Sequence, residues 1–222
     1  MNQIVSCFAG TWAKTPQGHP STAGTTASIA FIRRGKIYTG HVGDSAIVLG
    51  QENDAGFWEG LCLTRDHKPE SPLETQRILE AGGKVVAKSG VPRVVWKRPA
   101  KGHQGATRRS TQIEEIPFLA VARSLGDLWS YNSEKDVFIV SPEPDTYCHD
   151  IDISRHRCLI LGTDGCWNML TPETVSKYFF KNHEITCSIF ILNLHYRLLT
   201  KSALLKSLMS SICSFQIVAN NG

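Results

Sequence analysis

The chain has no Cys-x-x-Cys pair, no unbroken apolar run long enough to cross a bilayer, and no acidic side chain between Gly82 and Ile113. Seven cysteines (Cys7, Cys62, Cys148, Cys158, Cys166, Cys187, Cys213) are scattered and odd in number, so neither a disulfide framework nor a zinc site is signalled, and a reducing compartment is expected. The longest apolar tract, 185–196, is broken by Asn193 and His195 and stops at Arg197. A membrane span needs ~20 apolar residues, so no membrane association is expected. The opening Met1-Asn2-Gln3-Ile4-Val5 lacks the charged leader and apolar core of a signal peptide, which predicts a protein that is not secreted. With 41% hydrophobic and 20% charged residues in 222, the composition excludes fibrous and disordered classes and suits a domain with a sizeable core.

The missing acids make the charge uneven. Eight of the 24 Lys and Arg residues lie between Gly82 and Ile113, leaving 16 to face the 20 acids, so the net +4 divides into +8 in that segment and −4 elsewhere. Such a field attracts anions, whether phosphopeptide, nucleic acid or headgroup, although a solvated loop has the same composition. Pro99, Gly102 and Gly105 predict a long irregular loop over 91–113, with Arg93, Lys97, Arg98, Lys101, Arg108 and Arg109 as candidate substrate-binding cations. Trp96 is the single aromatic among them and reads as a loop anchor; nucleic-acid readers interleave several, which argues against nucleic acid as the partner.

Taken in order, the first twenty residues carry no clear signal. Ser28–Ile32 and Ile37–Val42, joined by Arg33-Arg34-Gly35-Lys36, predict a hairpin, and Ala46–Leu49 after Gly43-Asp44-Ser45 predicts a third strand of one antiparallel meander. Gln51 to Gly60 reads as a loop, and 61–64 as a short strand. A helix is expected after Ser71, with Pro72 at its first position, Glu74 completing a Ser-x-x-Glu capping box, and Gly82-Gly83 closing it. Asp66-His67-Lys68 could titrate, yet a hydrogen-bonding role suits it better than a metal site or triad. The run Cys158-Leu159-Ile160-Leu161-Gly162 predicts a strand covered on both sides, ending at Asp164-Gly165. Gly165 there allows a sharp turn that leaves the Asp164 carboxylate at the strand end, within reach of a hard cation; Asp-Gly is also an ordinary turn dipeptide.

Six stretches stand in an informative order: Ala23-Gly24-Thr25-Thr26-Ala27, Val42-Gly43-Asp44-Ser45, Leu63-Thr64-Arg65-Asp66-His67-Lys68-Pro69, Ala81-Gly82-Gly83, Leu119-Ala120-Val121-Ala122-Arg123-Ser124-Leu125-Gly126-Asp127 and Thr163-Asp164-Gly165-Cys166-Trp167-Asn168. Together they resemble successive motifs of the metal-dependent (type 2C, PPM) protein serine/threonine phosphatases, over roughly 20–172. Trp96-Lys97-Arg98-Pro99 and Asp127-Leu128-Trp129-Ser130-Tyr131 resemble the stress-induced, nuclear delta type.

The resemblance implies an α+β fold in which two antiparallel sheets form a sandwich flanked by helices, here incomplete. It implies two Mg²⁺ or Mn²⁺ ions that clamp the phosphate and activate a water, so no protein side chain is expected as a catalytic nucleophile. Asp164 matches a family metal ligand, and Asp44 matches the acid of a third, weaker site; Asn168 stands where several relatives carry an acid. An Asp-Gly-His-Gly-Gly motif and an Asp-Asn dipeptide, both ligand-bearing in the family, do not occur. The expectation is therefore a chain truncated at both ends, with a partial phosphatase domain over 1–172, a divergent extension over 173–222 that has no acid after Glu184, and impaired turnover. The alternative is a catalytically dead module that binds phosphorylated acidic partners through the basic loop. The delta-type likeness further implies a monomer, phosphoprotein partners of stress and DNA-damage signalling, and a nuclear or cytoplasmic location.

Overall fold

A two-residue turn sets the first hairpin. Arg34 (φ 50°) and Gly35 (φ 70°) both take left-handed backbone, the geometry that joins twisted antiparallel strands most tightly. The computed structural model describes residues 14, 21–100, 102, 103, 105, 108–182, 189–193 and 214–219. In chain order the first strands are β1 (Gly24–Thr25), β2 (Ala27–Arg33), β3 (Lys36–Val42), β4 (Ala46–Glu52) and β5 (Trp58–Cys62), followed by helix α1 (Pro72–Glu80). Then come β6 (Val85–Lys88), β7 (Val91–Pro99), β8 (Ile113–Leu119), β9 (Leu125–Gly126), β10 (Tyr131–Asn132) and β11 (Val137–Phe138). The last are β12 (Asp145–Asp150), β13 (His156–Gly162), α2 (Asp164–Trp167), α3 (Pro172–Asn182), β14 (Ile189–Asn193) and β15 (Ser214–Ala219). These elements fall into two units, Met1–Gly24 with His67–Glu143, and Thr25–Asp66 with Pro144–Gly222.

The unit containing Thr25–Asp66 is a two-sheet sandwich. One sheet has the order β12-β3-β2-β15 and the other β14-β13-β4-β5. Ala30 and Ile37 from the first meet Ile47, Leu49, Leu159 and Leu161 from the second in a core shielded from water. The alternate residues of the central pair, Val48, Cys158 and Ile160, face the other way, onto Val175 of α3. This two-sided cover is why β13 is apolar without alternation. Close approach is built in: a Cβ on Gly60 would lie 2.6 Å from the backbone carbon of Pro172, and one on Gly50 would lie 2.5 Å from the Cys158 sulfur.

The predicted hairpin and buried strand are present, but the meander is not. β4 leaves β3 at Gly43 and joins the other sheet between β13 and β5, where Ile47 and Leu49 pack across the sandwich onto Ala30 and Ile37 instead of extending the first sheet. β4 and β5 extend to Glu52 and from Trp58, so the expected loop over Gln51–Gly60 shrinks to 53–57, and the expected strand over 61–64 is the end of β5. The sheets are antiparallel except at β15, which runs parallel to β2.

The other unit centres on a three-stranded sheet, β6-β7-β8, and α1. Ile78, Val94, Ala122, Trp129 and Val140 form its core. Helix α1 ends as expected: the Gly82 (φ 82°) and Gly83 N–H groups bond to the Leu79 and Ile78 carbonyls at 2.9 and 2.8 Å, closing the last turn. Its start differs. Ser71 makes no side-chain cap, and Glu74 is turned inward instead, where Oε1 accepts from Arg123 Nε (2.8 Å) and Oε2 from Arg77 Nε (2.9 Å). A buried carboxylate is better satisfied by two guanidinium groups than by one backbone N–H. The expected loop over 91–113 is also largely a strand. β7 runs to Pro99 and pairs on both sides, which leaves 100–112 as the connection to β8.

Candidate functional site

The register of the central ladder brings the two predicted metal ligands to one place. Gly162, the last residue of β13, pairs with Ala46, the first of β4. Asp164 follows Gly162 by two residues and Asp44 precedes Ala46 by two, so both acids are delivered at the same end of the same strand pair. Asp164 opens α2 and is exposed; Asp44 is half-buried.

Each acid is held by its own turn. Gly162, rather than the predicted Gly165, makes the Asp164 turn possible. A Cβ at 162 would strike the Trp167 ring at 2.8 Å, whereas Gly165 lies inside α2 with no left-handed backbone. Trp167 Nε1 donates to the Gly162 carbonyl at 2.8 Å and locks the corner. On the Asp44 side, His41 is buried. Its Nε2 lies 3.0 Å from the Gly43 carbonyl and its Nδ1 2.8 Å from Ser28 Oγ. A carbonyl can only accept, so Nε2 carries the proton and Nδ1 accepts from the hydroxyl. Gly43 (φ 109°) admits no side chain, since a Cβ would collide with Thr26. Gly43 stands in one of the quoted motifs, whereas His41 has no signal in the sequence beyond a histidine within a predicted strand.

A pair of hard divalent ions needs several oxygen donors each. Among the described residues, no group of three or more His, Cys, Asp or Glu side chains gathers closely enough to hold a metal ion. Asp44 and Asp164 alone do not fit the pair that the sequence resemblance implies, and Asn168, exposed at the end of α2, adds no carboxylate.

The candidate substrate cations occupy a different sheet and are partly neutralised there. Register places Lys97 opposite Glu115 and Arg98 opposite Glu114, two acids just beyond the acid-free segment. Glu115 is 2.7 Å from Lys84 and 3.8 Å from Lys97, while Glu114 is 3.6 Å from Arg98. The side-chain hydrogen bond from Lys84 holds the Glu115 carboxyl below its ordinary range. Arg98 also lies over Trp96, 5.3 Å from the ring centroid. Trp96 packs against Phe118 (5.2 Å) and Trp129 (5.7 Å), and so anchors the sheet as expected. Arg93 donates to the Phe118 carbonyl at 2.7 Å. Arg108 and Arg109 are exposed in the connection, and Lys101 lies outside the described residues.

Two other motif acids are structural. Asp127 is buried in left-handed backbone (φ 47°) and accepts from Ser124 Oγ at 2.5 Å and Trp129 Nε1 at 2.7 Å; burial pushes its carboxyl up despite both bonds. Burial also works against the Glu74 carboxylate, but the hydrogen bonds and charges of Arg123 and Arg77 outweigh it and hold Glu74 below its usual range. His67 is buried, and its main-chain carbonyl accepts from the Ala122 N–H at 2.7 Å.

The protein phosphatase 2C family matches residues 6–184, which includes the ladder end and every strand of the two sandwich sheets except β14 and β15. This chain belongs to the protein phosphatase 2C family. The match runs past the 20–172 over which the motifs are legible and takes in α3. The chain is 32% identical over 153 residues to a probable protein phosphatase 2C 12 of Oryza sativa subsp. japonica, covering 69% of this chain and 35% of that protein. It is 35% identical over 154 residues to a probable protein phosphatase 2C 34 of Arabidopsis thaliana, covering 68% and 37%. Among solved structures, the serine-threonine phosphatase 2C of Toxoplasma gondii superposes with a TM-score of 0.51 at 26% identity, over 68% of this chain and 44% of that one. The likeness supports the predicted α+β sandwich. The chain spans about a third of the length of the curated relatives it matches.

Proposed function

We propose that this chain contributes part of a protein serine/threonine phosphatase of the 2C type, acting on phosphoserine and phosphothreonine in proteins. The observation that carries this reading is the Gly162–Ala46 register, at whose end stand Asp164 and Asp44, the two acids that the motif resemblance implies as ligands. Because those two acids do not make a metal pair, the reading includes weak or absent turnover by the 222 residues alone. The Trp96-Lys97-Arg98-Pro99 stretch supports assignment to the delta type, and with it a nuclear or cytoplasmic role on phosphoproteins of stress signalling.

The test is phosphate release from a phosphothreonine peptide in millimolar Mn²⁺ or Mg²⁺, comparing this chain with Asp164→Ala. Equal rates are expected. A metal-dependent rate that disappears on substitution would show the donor set to be complete within this chain and overturn the impaired-turnover reading. A metal-dependent rate that survives both Asp164→Ala and Asp44→Ala would remove the ladder end as the site.

A further inference from the structure

A trough of about 350 Å³ opens on the three-stranded sheet. Its rim carries Lys88, Ser89 and Arg93, and its floor is Val91, Ile116 and Phe118. The cross-strand acids divide the five cations from Lys84 to Arg98. Lys84, Lys97 and Arg98 are matched by Glu114 and Glu115, whereas Lys88 and Arg93 have no carboxylate within ion-pair reach among the described residues. Arg93 is steadied rather than neutralised, since among the described residues its guanidinium donates to the Phe118 carbonyl and to no carboxylate. Val91 is 45% exposed on the floor of the trough. A small anion would meet the two cations and leave that floor wet. Exposed ion pairs contribute little, so a ligand gains substantially only if an apolar group enters with the charge.

We propose that this trough is a docking site for a peptide in which a carboxylate side chain stands next to an aromatic or aliphatic one. The carboxylate lies between Lys88 and Arg93, where the planar guanidinium can grip it with paired hydrogen bonds. The neighbouring side chain covers Val91, Ile116 and Phe118. Binding of this kind requires no turnover, so it stands or falls independently of the phosphatase reading.

The experiment is fluorescence anisotropy with the full chain and two labelled peptides, one with a Glu-Glu-Phe-Glu core and one with Glu-Glu-Ser-Glu, at 0.1 M salt, where the Debye length is about 10 Å. The Phe peptide should bind about tenfold more tightly than the Ser peptide, the contribution expected from partial burial of one aromatic ring. Lys88→Ala should weaken it about three- to fivefold; this side chain is exposed and makes no recorded bond, so the variant keeps the fold. Arg93→Ala should weaken it more, and Arg108→Ala with Arg109→Ala less than twofold. Equal affinity for the two peptides would overturn the proposal. So would a loss at Arg108 and Arg109 matching that at Lys88, which would mean diffuse attraction. Phosphatidylserine vesicles that bind in a Lys88-dependent manner and displace the Phe peptide would assign the trough to a membrane surface instead.

Discussion

The Trp129 indole N–H donates to the Asp127 carboxylate at 2.7 Å, deep enough that neither group reaches solvent freely. Removing that acceptor by Asp127→Ala also strands the Ser124 hydroxyl. An orphaned buried donor costs about 1–3 kcal/mol, and two share this site, so a loss of about 3 kcal/mol in urea denaturation is expected. Asp127→Asn keeps the shape and should cost less. Because the folded carboxyl titrates above its unfolded value, its stabilising contribution is greatest below the unfolded value and declines as pH rises through the folded one. Asp127→Asn should remove that part of the pH profile.

Glu74 titrates in the opposite sense. Its folded carboxyl is held low, so its contribution is present above the unfolded value and is lost as pH falls through the folded one. Glu74→Gln should cost about 3 kcal/mol or more at neutral pH, because Arg77 and Arg123 would be left with unmatched charge in a buried setting. The difference from the parent chain should shrink in acid, which a set of melts across pH measures directly.

Cys158 offers a test on the alkaline side. Burial pushes its thiol up to about 11, against the ordinary 9.0. The unfolded chain therefore releases this proton first, and stability should fall as pH rises from about 9 to about 11. Cys158→Ala should flatten that alkaline slope. It should also cost roughly 1–2 kcal/mol at neutral pH by leaving a small void beside Val48 and Val175. Guanidinium chloride titrations at several alkaline pH values would separate the two effects.

Neutralising the cross-strand acids should expose the field they hide. Glu114→Gln with Glu115→Gln should leave stability nearly unchanged, since the pairs are exposed. Attraction of a polyanionic peptide should rise severalfold at 0.05 M salt. The gain should vanish at 1 M, where the Debye length is about 3 Å. An affinity unchanged at low salt would show that Glu114 and Glu115 do not mask Lys84, Lys97 and Arg98.

What the sequence disclosed, and what it hid, divides along the range of the interactions. The Arg34-Gly35 turn, the Gly82-Gly83 helix end and the strand His156–Gly162 were legible because each is written in adjacent residues. Ala46–Leu49 reads as a strand from its own residues, but they set it wrongly in one meander with the hairpin. Its partner begins more than a hundred residues later, and the choice depends on which face Ile47 and Leu49 can bury. Glu74 fits a local capping pattern, yet Arg123, 49 residues on, competes for it and wins. The charge window stopped at Ile113, one residue short of the acids that the register sets against Lys97 and Arg98. At the candidate site, motif order supplied Asp44 and Asp164, while the roles of His41, Gly43 and Gly162 depend on who stands across the turn.

Gly50 and Cys158 behave as one volume divided between two strands, the sulfur filling the space that a side chain at 50 would claim. In a diverging lineage these positions are not free to drift separately. A substitution that enlarges residue 50 can survive only after residue 158 has shrunk, so the order of mutations matters and the intermediate with both side chains large is closed. Descendants should therefore carry either glycine with a bulky partner or alanine with a smaller one, and chimaeras that join the two kinds across this ladder should fold poorly in one combination and tolerably in the other.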